Sequence, residues 1–70
     1  MTAEREIPAR ELAALWAYVE TGSHKAAAHR LGVSAVTSRK RISSLLERVG
    51  ATSTAQAVWV LRRELEAYSR

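Results

Sequence analysis

Three glycines punctuate this chain, and each is followed within three residues by a serine: Gly22-Ser23, Gly32-Val33-Ser34 and Gly50-Ala51-Thr52-Ser53. Glycine readily takes the left-handed conformation that ends a helix, and a serine hydroxyl accepts from the free N–H groups that begin the next one. These pairs cut the chain into four segments of helical length, so the expected fold class is all-α. The expected architecture is a compact four-helix domain with helices at about 8–20, 24–31, 35–49 and 54–68.

The apolar spacing within the segments agrees. Ile7-Pro8 marks the first helix start, because proline suits a first turn where its missing N–H is not needed. Leu12, Leu15, Trp16 and Val19 follow as one helical stripe. In the second segment Ala27, Ala28 and Leu31 share a side, with Ala28 leaving room for the next helix to cross closely and Val33 able to tuck into the core. On a helical wheel the third segment gathers Ala35, Ser38, Ile42, Leu45, Leu46 and Val49 on a core face. Val36, Arg39, Lys40 and Ser43 share an outward sector, and Thr37, Arg41, Ser44 and Arg48 form a flank beside it. In the fourth, Ser53-x-x-Gln56 has the form of a capping box, each side chain satisfying the other's backbone donor. Ala57, Val58, Leu61, Leu65 and Tyr68 make its core stripe, leaving Trp59 and Val60 outside it among Arg62, Arg63 and Glu66. Residues 1–6 read as a flexible polar lead-in, and 7–70 as the domain.

Seventy residues without cysteine lie near the lower size limit for unaided folding, and neither disulfides nor thiolate metal sites are available. Oligomerisation is the remaining common staple. An indole on a charged helix face fits that need, since interfaces are enriched in Trp and Arg. Ala55, Trp59, Val60 and Arg62 are the expected dimer interface, with a heteromeric partner as the alternative occupant.

The net charge of +4 is unevenly spread. Residues 1–22 set Glu4, Glu6, Glu11 and Glu20 against Arg5 and Arg10. Residues 23–50 set Lys25, Arg30, Arg39, Lys40, Arg41 and Arg48 against Glu47 alone, a local excess of +5. Such an excess is the footprint expected for a polyanion partner, although Lys and Arg also serve as ordinary solvated surface. A helix with an apolar back and an outward N-terminal half rich in Arg, Lys and Ser suits the DNA major groove.

Catalysis is not expected. His24 and His29 are five apart and do not share a helix face, which makes a poor metal pair. No Cys nucleophile or Gly-rich phosphate loop is present, and the Glu residues fall on outward or terminal positions. No catalytic residue, metal or cofactor is assigned. No apolar run has the length of a membrane span and no signal-peptide pattern opens the chain, so no membrane partner is expected.

With these residues in place, the chain resembles the LuxR-type (GerE-type) helix-turn-helix DNA-binding domain, without a gap from Ile7 to Val58. The family opening L-T-P-R-E-x-x-x-L is similar to Ile7-Pro8-Ala9-Arg10-Glu11 with Leu15 behind it. The central S-N-K-E-I-A-x-x-L-G-I-S is similar to Ser23-His24-Lys25-Ala26-Ala27-Ala28 followed by Leu31-Gly32-Val33-Ser34. The T-V-K-x-H element corresponds to Thr37-Ser38-Arg39-Lys40-Arg41, and L-x-x-L-G-V-x-S-R-A-E-A-V to the run from Leu46 to Val58. Departures are Pro8 for a Thr cap, Ala27 for a branched apolar residue, Ser38 for an apolar core residue, Arg41 for His, and Ile42 where the family is usually polar.

The resemblance implies a sequence-specific double-stranded DNA-binding transcriptional regulator, bacterial, cytoplasmic and nucleoid-associated, in the family's stand-alone form. Its third helix would enter the major groove and its fourth would pair two copies as a homodimer. Carried over by position, Arg39, Lys40 and Ser43 would read bases, and Lys25, Ser34, Thr37 and Arg41 would contact phosphates. The alternative is an interaction module akin to region four of sigma factors, docking on RNA polymerase or another regulator.

Overall fold

A computed structural model describes residues 6–69, so all of the expected lead-in except Glu6, together with Arg70, lies outside the described residues. Those described form five helices and no strand: α1 (Ala9–Thr21), α2 (His24–Leu31), α3 (Ala35–Val49), α4 (Thr54–Val60) and α5 (Arg62–Tyr68). None is long and apolar enough to cross a membrane.

Each Gly–Ser pair separates two helices. Ser23 accepts from the Ala26 N–H at 3.0 Å, Ser34 from Thr37 at 3.0 Å and Ser53 from Gln56 at 3.1 Å. At the α2–α3 turn Gly32 takes φ +72°, which brings its N–H to the His29 carbonyl and that of Val33 to Ala28. Two carbonyls of the last turn of α2 are thereby satisfied within the turn, and α3 can begin two residues later. Pro8 sits one position earlier than expected. It precedes α1 as its cap with φ −58° and ψ 135°, and its carbonyl accepts from Glu11 and Leu12, so the helix runs from residue 9.

The expected helix 54–68 is two helices. Leu61 departs from helical geometry at φ −101° and ψ 17°, while its N–H still reaches Ala57 and its carbonyl still receives Leu65. The bend has a packing cause. α4 packs on α3 whereas α5 packs on α1, and one straight stripe cannot face both. Turning at Leu61 keeps Ala57, Leu61 and Leu65 all inside. The Trp59 carbonyl near the break receives Arg62 Nη1 at 2.7 Å.

Helices α1, α2 and α3 all pack on one another, and the centre is Leu15, Leu45, Ala57, Leu61 and Leu65. Several side chains lie elsewhere than the pattern placed them. Val19 and Tyr68, assigned to core stripes, are exposed, while Ala14 and Ala17 of α1 are buried. Small residues allow close helix approach, and α1 meets three neighbours, α2, α3 and α5. Val60, assigned to the charged outer face, is half-buried and packs against the core. The capping box is displaced by one residue: Gln56 Oε1 accepts from the Thr52 N–H at 2.6 Å and the Thr52 hydroxyl at 3.0 Å, not from Ser53. The extended backbone of Ser53 puts Thr52 beside Gln56, offering two donors. Glu11, expected outside, is only 3% exposed.

Candidate nucleic-acid interface

Helix α3 has two unlike sides. Ser38, Ile42 and Leu45 are buried against the other helices, with Leu46 and Val49 packed at the edge of the core. Opposite them Val36, Arg39, Lys40 and Ser43 are all exposed, at the i, i+3, i+4, i+7 spacing that makes one helical stripe. The three residues assigned to base reading therefore lie together. The stripe spans about 10–12 Å along the helix at 1.5 Å per residue, close to the width of about 12 Å of a B-DNA major groove.

Charge is sorted across the helices. Arg30 of α2 pairs with Glu20 of α1. Arg48 of α3 reaches Glu11 of α1 through Nε and Nη2, both at 3.0 Å, a two-pronged contact between groups 37 positions apart. The hydrogen bond to Glu11 raises the Arg48 pKa above its ordinary value; partial burial opposes this and the Glu11 charge reinforces it. Glu11 itself is almost out of solvent, and a buried carboxylate needs such a partner. Among the described residues Lys25, Arg39, Lys40 and Arg41 have no carboxylate at ion-pair distance. Two cations of the basic segment thus brace the fold, and four remain for a ligand.

The residues assigned to phosphate contact are placed less uniformly. Lys25 is exposed on the first turn of α2, on the rim of a shallow depression shared with Ser23, Ala26 and His29. Ser34 and Thr37 bond to each other, the Ser34 hydroxyl accepting from the Thr37 N–H and donating to Thr37 Oγ1 at 3.0 Å. Of that pair, the Thr37 hydroxyl keeps its proton for an outside acceptor. Arg41 is half-buried on the flank of α3 that also carries Arg48.

Of the residues assigned to a dimer interface, Ala55, Trp59 and Arg62 are exposed and Val60 turns inward. Trp59 is 66% exposed, the most open of the large apolar side chains among the described residues. Arg62 lies over its ring, 4.0 Å from guanidinium carbon to ring centre. The indole is fixed in place without being covered.

The Glu11–Arg48 contact is the site feature that spacing missed. Its signal is a carboxylate one turn before Leu15, at the edge of the apolar stripe. The two histidines also separate: His24 stacks on Tyr18 with ring centres 4.5 Å apart, and His29 is exposed. Among the described residues no three His, Cys, Asp or Glu side chains are grouped as a metal site requires. No protein-family model, curated protein or solved structure matches the chain.

Proposed function

We propose that the protein is a sequence-specific double-stranded DNA-binding transcriptional regulator of the LuxR-type helix-turn-helix class, acting in the bacterial cytoplasm on the nucleoid. One observation carries this reading: after the two ion pairs are formed, the unpaired cations Arg39 and Lys40 share one exposed stripe of α3 with Ser43. Helix α2, the three-residue turn and α3 then act as the helix-turn-helix, with α3 in the major groove. Arg39 and Lys40 hydrogen-bond guanine edges and Ser43 reaches a neighbouring base. Lys25, Arg41 and Thr37 hold phosphates, and the capped N-terminus of α3 adds its partial positive charge. No step requires a cofactor.

Two copies pair through the outer face of α4 and the start of α5, with Trp59 at the centre between Ala55 and Arg62. The exposure of Trp59 supports this arrangement, because burying one indole on each copy removes a large apolar surface from water. A dimer sets two α3 helices on half-sites about one helical turn apart.

The test is selection of genomic fragments by the purified protein at two salt concentrations. The expected result is a recurring paired half-site and binding that weakens steeply with salt. Lys25 and Arg41 from each of two copies give a slope of about −4 in log K against log salt, at about −0.9 per phosphate. Absence of any salt-sensitive duplex binding overturns the reading. The exposed Trp59 then favours the second one, a module that docks on RNA polymerase or another regulator through that same face.

A further inference from the structure

Val36 is 59% exposed on the second residue of α3. A single apolar side chain at the surface carries no message by itself. Its position is what matters: it opens the outward stripe, one turn before Arg39 and Lys40 and two before Ser43. Val19, Trp59 and Tyr68, the other exposed large apolar side chains among the described residues, all lie on other helices.

The fold gains little from a valine there. It touches no core cluster, and in an exposed helical position valine is a poorer helix former than alanine. What valine supplies is a rigid apolar tip. β-branching leaves essentially one side-chain rotamer in a helix. The turn that carries it is held by Ser34, whose hydroxyl takes the Thr37 N–H and whose carbonyl takes the Ser38 N–H, both at 3.0 Å. The side chain therefore loses little freedom on contact.

From this placement we propose that Val36 reads the C5-methyl group of a thymine in the bound site; the inference rests on the DNA-binding reading above. Thymine alone among the bases presents a methyl group in the major groove, and the edges around it are hydrogen-bonding groups. A valine pressed against guanine or adenine N7 would desolvate an acceptor and return nothing, whereas a thymine methyl makes apolar contact. Arg39 and Lys40, one turn on, read an adjoining guanine, so the stripe recognises a thymine beside a guanine as a unit. Val36 thus sets specificity where the neighbouring cations supply most of the attraction.

The test replaces each thymine of a selected duplex in turn with deoxyuridine, which removes only the methyl group. Wild-type protein is expected to lose about fourfold in affinity at one position per half-site, the worth of one buried methyl. Val36→Ala is expected to lose affinity for the thymine duplex by a similar factor, and to bind the thymine and deoxyuridine duplexes equally. Because Val36 is exposed and alanine favours helix, circular dichroism should show the variant folded. The proposal is overturned if no deoxyuridine substitution weakens wild-type binding, or if Val36→Ala keeps the full penalty. Wild-type protein that binds no duplex in a salt-sensitive way refutes the DNA-binding reading itself, a separate and recognisable outcome.

Discussion

Ser38 is the one fully buried hydroxyl side chain among the described residues, and its Oγ has no hydrogen-bond partner. The Ser34 carbonyl one turn back accepts the Ser38 N–H at 3.0 Å but does not receive the hydroxyl. Ser38→Ala is therefore expected to stabilise the fold. Relieving an unpaired buried hydroxyl returns about 1–3 kcal/mol, and the better helix propensity of alanine adds a few tenths. Against this stands the gap left by one oxygen atom. At about 24 cal/mol per Å3 over roughly 15 Å3, it costs about 0.4 kcal/mol. The net gain is about 1–3 kcal/mol, a sizeable share of the total stability of about 4–10 kcal/mol for a chain this long.

Thermal unfolding followed by circular dichroism reads that gain as a rise in Tm of about 4–24 °C for a domain of this size. Urea unfolding should move its midpoint upward with an unchanged slope, showing that the folded state and not the unfolded ensemble was altered. DNA affinity should stay as it was, because Ser38 lies on the side of α3 opposite Arg39, Lys40 and Ser43. A variant less stable than wild type by more than about 0.5 kcal/mol would refute the reasoning, since the hydroxyl must then hold a bond worth more than its burial costs.

Three further outcomes are expected from the same geometry. Arg48→Met leaves the Glu11 carboxylate buried and alone, whereas Glu11→Gln frees a guanidinium already open to water; urea unfolding should show the larger loss for Arg48→Met. Trp59→Ala should change monomer stability by no more than about 1 kcal/mol, the worth of an exposed cation–π contact, yet abolish self-association in sedimentation. Arg39→Ala should relax base preference at one position by about 1–3 kcal/mol, while Arg41→Ala should weaken all duplexes evenly and lower the salt slope by about one per copy.

Local chemistry was readable from the residues, and contacts between helices were not. The Gly–Ser pairs marked the starts of α2, α3 and α4 because a cap is made within four residues, as Ser23 to Ala26 and Ser34 to Thr37 show. The break at Leu61 left no such mark. The stripe through Ala57, Leu61 and Leu65 is continuous, and only the different neighbours of α4 and α5 bend it. Alanine was ambiguous in the same way: Ala14 and Ala17 lie outside the expected stripe of Leu12, Leu15, Trp16 and Val19, but the buried side of α1 takes the small residues where α2 and α3 approach. The outer stripe of α3 was legible because its apolar back fixes where the front must be. Which cations stay unpaired was not, because Glu11 meets Arg48 from 37 residues away.

That pairing also explains why the outer stripe of α3 is held in one orientation. Rotating α3 by a single residue, about 100°, would carry Arg48 off Glu11 and replace Ile42 and Leu45 in the core with Ser43 and Leu46. The first change strands a buried carboxylate and the second loses apolar burial, so both oppose the same motion. Glu20 performs a parallel task at the surface, tying Arg30 and with it α2 to α1. The two α1 carboxylates thus neutralise the cations that belong to the frame, and in doing so keep α2 and α3 set against one helix. Arg39 and Lys40 remain unmatched because the core that holds α3 lies behind them, out of reach of either carboxylate. The interactions that stabilise the fold are therefore the ones that decide which positive charges face outward. A change at Glu11, on the far helix, should disturb how α3 presents its stripe before it alters any residue that would touch a ligand.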